Sequence, residues 1–177
     1  MEFKKVLEGR RSIRKYKDTP VTDRQIMELM EAAAYAPSWA NTQVSRFYIA
    51  KGEEKKELMA ALPDFNKSRT ADADVLIVST VIKGRAGYND EGEAFTHLGE
   101  GFSYFDNGIR VQNICLAAYD MGLGTLILGK YDPDFVREYF NIPDYEEVVC
   151  MLAVGVPDSD PKKPAGLTGK DIFRVKE

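Results

Sequence analysis

The run RRSIR, Arg10 to Arg14, puts three guanidinium groups and one hydroxyl within five residues. If the segment after Ser12 is extended, Ser12 and Arg14 point to one face and Arg11 and Ile13 to the other. A guanidinium fork matches phosphate oxygens or a planar carbonyl edge, and the hydroxyl adds one more donor. That combination suits a phosphorylated small molecule. It lies in a wider basic segment, with seven Lys or Arg in the first 17 residues against only Glu2 and Glu8. The whole chain carries a net charge of −4, so the remainder stands near −9. Such an acidic remainder argues against the broad basic face that nucleic acids require. A solvated basic run with no ligand is the bland alternative.

Two further groups of residues carry hydrogen-bonding chemistry. In PSWANTQ, Ser38, Asn41 and Gln43 both donate and accept, while Pro37 and Trp39 add flat apolar surface. Such a loop can read the edge of a heterocycle, or serve only as a turn after a helix. In FNKSR, Asn66 and Arg69 lie three apart and share one face of a helical turn. A surface turn without a role is the competing reading there.

Other features exclude more than they offer. GLGTLILG has the spacing G-x-G-x-x-x-x-G and precedes a strand, whereas a dinucleotide loop follows a strand and opens a helix. Gly122 and Gly124 read as a helix cap and tight turn, and Gly129 as a strand end that a ligand can approach closely. NDEGEAF, residues 89–95, lacks the alternating ligands of a calcium loop and reads as a solvated flexible segment. His97 is the only histidine, and Cys115 and Cys150 both sit in apolar runs, so no metal site or disulfide framework is expected. Free thiols imply a reducing, cytoplasmic setting. No apolar stretch reaches the ~20 residues that span a bilayer. The first 11 residues carry charge with no apolar run behind them, so neither a secretory leader nor a membrane partner is expected.

These groups need a scaffold, and the periodicity outlines one. Thr22 to Gln25 is a capping box opening a helix over 23–36, which Pro37 stops. RFYIAK (46–51) reads as a strand, residues 53–63 as a helix, and VLIVSTVIK (75–83) as a buried strand. Residues 100–122 form a long central helix with apolar residues around much of its circumference, as burial on several sides requires. GTLILG is a short strand, DPDFVREYFN a helix and VVCMLAVGV a strand; in the tail only DIFRV is strand-like. The expected fold is α+β, one domain over residues 1–177, with a small mixed β-sheet flanked by helices around the long helix.

Taken in order, R-R-S-x-R, P-S-x-x-N-x-Q, F-N-x-x-R and D-N-G-x-x-x-Q-N-x-x-L-A-A followed by G-L-G-T resemble the nitroreductase family of FMN-dependent NAD(P)H oxidoreductases. The resemblance runs over nearly the whole chain. It implies an intertwined homodimer with FMN at the subunit interface, and a tail (157–177) packed on the partner. It implies that Arg10 and Ser12, with Arg11 beside them, meet the phosphate and ribityl chain of FMN. Arg14, Asn66 and Arg69 match groups at the pyrimidine edge of the flavin, where guanidinium charge stabilises the negative charge the ring acquires. Pro37, Ser38, Trp39, Asn41 and Gln43 match a loop lent by the second subunit. Gly129 and Lys130 fall where backbone N–H groups lie near flavin N5 and O4, with Leu128 a further cofactor-binding position beside them; Lys130 stands where many short members carry Gly or Ala. Lys162 and Lys163, followed by Pro164, replace a usual Arg-Lys-Pro and are candidate phosphate contacts, with Lys170 a rival. The implied activity is ping-pong hydride transfer from NADH or NADPH through FMN to a nitroaromatic, quinone or similar acceptor. No catalytic acid, nucleophile or metal is needed, because the flavin carries the chemistry. Other reactions on the same flavin fold, namely enoate reduction, dehalogenation or flavin fragmentation, remain open. So do a nonenzymatic flavin- or nucleotide-binding module and a nucleic-acid binder using Lys4–Lys17.

Overall fold

The apolar run Val75–Ile82 forms strand β3, and every residue but the last is buried. The computed structural model describes residues 2–176. Along β3, Leu76 and Val78 point to one side and Val75 and Ile77 to the other, following the period of two of a pleated strand. Its neighbour β5, Glu146–Pro157, divides in the same way. Met151 and Ala153 join the first side, and Leu152 and Val154 the second. Both faces of the sheet are therefore covered, which is why these strands read as continuous apolar runs rather than alternating ones.

The remaining elements, in chain order, are α1 (Phe3–Gly9), β1 (Tyr16–Lys17), α2 (Asp23–Ala34), β2 (Ser45–Lys51), α3 (Glu53–Leu58) and α4 (Asp64–Thr70). After β3 come α5 (Gly101–Asp120), β4 (Gly124–Leu128) and α6 (Pro133–Phe140), and after β5 the short α7 (Gly169–Ile172). The sheet order is β1-β5-β3-β2, with β4 also paired to β5. All four ladders are antiparallel. The expected mixture of directions is limited to an isolated parallel bridge between Ser12 and Thr125. Val111, Ile114 and Ala118 of α5, with Leu29 and Ala33 of α2, cover the face of Val75 and Ile77. Leu58, Ala61 and Val136 cover the opposite face.

Three expectations change. DIFRV is not a strand: residues 169–172 form a helical turn capped by Thr168 and Asp171. Residues 89–95 are a hydrogen-bonded turn, in which Asn89 Oδ1 accepts from the Glu93 N–H at 2.7 Å and Phe95 donates to the Gly87 carbonyl. In the single chain α5 is not enclosed all round, because Phe105 is 60% exposed and Tyr104 is exposed beside it. The capping box at Thr22 and Gln25 is present. Gly122, at φ 76°, ends α5 while the Leu123 N–H donates to Ala118.

Candidate functional site

The extended segment after α1 brings the basic run onto the sheet edge. Ile13 donates its N–H to the Thr125 carbonyl at 2.9 Å, and its side chain fills the space over Gly124, where an added Cβ would lie 2.5 Å from it. The absent side chain at Gly124 thus permits the bridge that fixes Ser12. The return of the tail is tied to the same segment, because Asp158 donates its N–H to the Lys15 carbonyl at 3.0 Å. Together these contacts build a cavity of about 460 Å³ lined by Arg10, Arg11, Ser12, Arg14, Lys162 and Lys163, with Leu7 and residues 161 and 164–166. Arg11 and Arg14 donate to backbone carbonyls of their own segment. Among the described residues, no carboxylate pairs with any of these five cations. Five like charges around one cavity repel one another, and a bound anion offsets that cost. The donor set fits a phosphate group. Lys170, on the exposed α7, does not line this cavity.

The loop after α2 is built by hydrogen bonds and not by charge. Trp39 donates its N–H to Asp106 Oδ2 at 2.9 Å, from the buried side of α5. Burial pushes the Asp106 carboxyl above its usual range, an effect partly offset by the Trp39 N–H and by Arg110. Within the loop, Ser38 Oγ accepts from the Gln43 N–H at 3.1 Å and Asn41 Oδ1 from Gln43 Nε2 at 2.9 Å. Ala40, Asn41 and Gln43 all take positive φ (44°, 57° and 51°). Left-handed backbone at non-glycine residues stores strain, and it concentrates where a loop must present groups in a set direction. Pro37, Ser38 and Trp39 line a shallow apolar pocket with Phe102, Phe105, Asp106 and Ile109. On its other side Trp39 meets Phe95 edge-on, with ring centroids 6.3 Å apart.

A third group lies at the end of β4. Asn66 Nδ2 donates to the Lys130 carbonyl at 3.1 Å, so α4 is pinned to the residues after the strand. Arg69 and Lys130 both lie over the Phe65 ring. Gly129 is exposed, and an added Cβ there would meet nothing within 4 Å. Leu128 is only 2% exposed and belongs to the core, which leaves its backbone alone to face a ligand. Within one chain the structure therefore gathers the predicted residues into three clusters. Arg14 lines the basic cavity, and Asn66 and Arg69 do not. The Pro37–Gln43 loop shares no lining residue with that cavity.

Asp106 is the residue whose part sequence reasoning missed. It lay within the quoted D-N-G motif, and the signal was a run of polar residues on the buried side of a helix: Asp106, Asn107 and Arg110. Asn107 accepts from Ser79 of β3 at 2.7 Å, and Arg110 is aimed at the Ala33 carbonyl. The three thus anchor α5 to its neighbours while it holds the loop.

The family model described as "Nitroreductase family" matches residues 7–156. The NADPH-flavin oxidoreductase of Vibrio harveyi is 30% identical over 155 residues, covering 86% of this chain and 64% of that protein. The 4-nitrobenzoate reductase of Pseudomonas putida is 23% identical over 198 residues, covering 90% of this chain and 87% of the other. A solved NADPH:FMN oxidoreductase from Vibrio harveyi, complexed with NAD+, superposes with a TM-score of 0.80. The two share 23% identity over 99% of this chain and 77% of that one. The chain belongs to the nitroreductase family.

Proposed function

We propose that this chain is an FMN-dependent oxidoreductase that accepts hydride from NADH or NADPH and delivers it to a small acceptor such as a nitroaromatic or quinone. The basic cavity carries the reading, because five cations that pair with no carboxylate among the described residues converge on a space sized for an anionic group. When bound, FMN supplies the hydride chemistry. Arg10, Arg11, Ser12, Lys162 and Lys163 hold its phosphate end. Asn66 and Arg69 meet the polar edge of the ring, and the exposed backbone at Gly129 and Lys130 borders the reacting edge. Arg14 extends the positive charge from the phosphate cavity toward the ring.

In this reading Pro37, Ser38, Trp39, Asn41 and Gln43 come from a second copy of the chain. Within one chain they share no lining residue with the basic cavity, which supports that role, and so does exposed apolar surface that a homodimer would cover. Phe105 is that surface on α5, and Leu167, Ile172, Phe173 and Val175 are exposed in the tail. The reading treats residues 1–177 as one domain and assigns it neither a nucleic-acid nor a membrane partner. Two buried free thiols support a cytoplasmic setting. Among the described residues, no helix is long and apolar enough to cross a membrane.

The test is a spectrum of the purified protein. Yellow protein whose flavin absorbance is bleached anaerobically by NADH or NADPH is the expected result. A colourless protein that also fails to take up added FMN would defeat the reading.

A further inference from the structure

Phe65, on the exposed side of α4, carries two cations on its ring. The Arg69 guanidinium lies 5.4 Å from the ring centroid and Lys130 Nζ lies 5.7 Å from it, both within the ~6 Å at which a ring attracts a cation. The backbone below Lys130 is fixed on both sides. Its carbonyl accepts from Asn66, and the next residue, Tyr131, donates its hydroxyl to the Val148 carbonyl at 3.1 Å. The nearby acids are engaged elsewhere. Asp64 pairs with Lys67 at 3.9 Å, and Asp132 Oδ1 accepts from the Asp134 and Phe135 N–H groups at the start of α6. Among the described residues, no carboxylate pairs with Lys130 or Arg69. Two like charges lie over one exposed aromatic ring, and an anion placed beside them relieves their repulsion.

We propose that Lys130 selects redox partners bearing a carboxylate on an aromatic ring, holding that carboxylate beside the reacting edge while Phe65 offers a flat apolar wall. The inference rests on the FMN reading, in which the Gly129–Lys130 backbone borders that edge. Arg69 serves the pyrimidine edge there, so the Lys130 ammonium is the charge left to meet an incoming molecule. The dinucleotide donor is the other source of an anion, through its phosphates. Its phosphates stand further from the hydride-bearing carbon than a carboxylate stands from a nitro group on one benzene ring, which favours the acceptor.

The experiment compares holoenzyme kcat/KM for para-nitrobenzoate with that for para-nitrobenzamide, in the wild type, Lys130→Ala and Lys130→Arg. The acid-over-amide ratio is expected to fall about fivefold in Lys130→Ala, the size of one solvent-facing ion pair, and to be retained in Lys130→Arg. Calorimetric titration with benzoate and benzamide, which do not turn over, should show the same loss for benzoate alone. An unmoved ratio, an equal fall in Lys130→Arg, or a shift in the NADPH-over-NADH ratio in its place would each overturn the assignment. If the wild type turned over neither nitro compound, the benzoate titration would judge Lys130 by itself, and flavin uptake would still judge the FMN reading.

Discussion

The basic cavity and the Pro37–Gln43 loop use opposite means to present polar groups. In the cavity, cations project from a segment held by the Ser12–Thr125 bridge, by the Ile13 and Asp158 hydrogen bonds and by the packing of Ile13 over Gly124. Among the described residues, no carboxylate pairs with their charges. In the loop, the Gln43 side chain donates to that of Asn41, the Ser38 hydroxyl accepts from the Gln43 N–H, and the strained backbone is held by a buried carboxylate. The first region is built to gain energy when an anion arrives. The second is built to keep its shape whether or not a ligand is present.

This contrast can be broken by experiment. The largest effect is expected for Arg10→Ala, which removes charge-assisted donors worth about 1.5–3 kcal/mol, so FMN affinity should fall roughly 10- to 150-fold. Fluorescence titration of FMN reads that change, and raising the salt concentration should weaken wild-type binding in the same direction. Insensitivity to both would show that the cavity is not an anion site. Gly124→Ala should cost about 1–3 kcal/mol of stability by overpacking against Ile13, with loss of FMN affinity as Ser12 is displaced. Urea denaturation beside the FMN titration tests whether the two losses travel together.

The loop should respond to a different variable. Asp106 has its carboxyl raised by burial, so the folded state binds a proton more tightly than the unfolded chain does. That contribution is present below the ordinary carboxylate value of 3.8 and is lost as pH rises through the raised one. Asp106→Asn keeps an acceptor for the Trp39 N–H and removes the charge, so its stability relative to wild type should improve as pH rises through that window. A pH-independent difference would remove the buried carboxylate from the account. Smallest of all, Ser38→Ala loses one neutral hydrogen bond, so FMN affinity should fall by a few-fold at most, corresponding to about 1 kcal/mol or less. A loss as large as that of Arg10→Ala would erase the distinction between the two regions.

The elements of the core were legible because their signals are local. The capping box at Thr22, the stop at Pro37 and the apolar runs of β3 and β5 all lie within single stretches of sequence. The two-residue β1 was illegible, since its strand character comes only from pairing with Val156 and Pro157. The basic run announced itself through charge and spacing. That Lys162 and Lys163 return to the same cavity depends on a contact between residues more than a hundred positions apart, which no local pattern encodes. Asp106 fell between these cases. An acid on a buried helix face has no local explanation, and its partner, the Trp39 N–H, becomes visible only when α5 is laid against the loop.

Trp39 is the sole tryptophan in the chain, and it sits on the strained loop between Phe95 and Phe102. The protein therefore carries an intrinsic optical reporter at the one segment that a second copy is proposed to lend. Near 295 nm excitation, which selects indole over tyrosine, emission from the unlabelled protein would come from that segment alone. Its quenching and polarisation would follow ligand arrival and subunit exchange in real time.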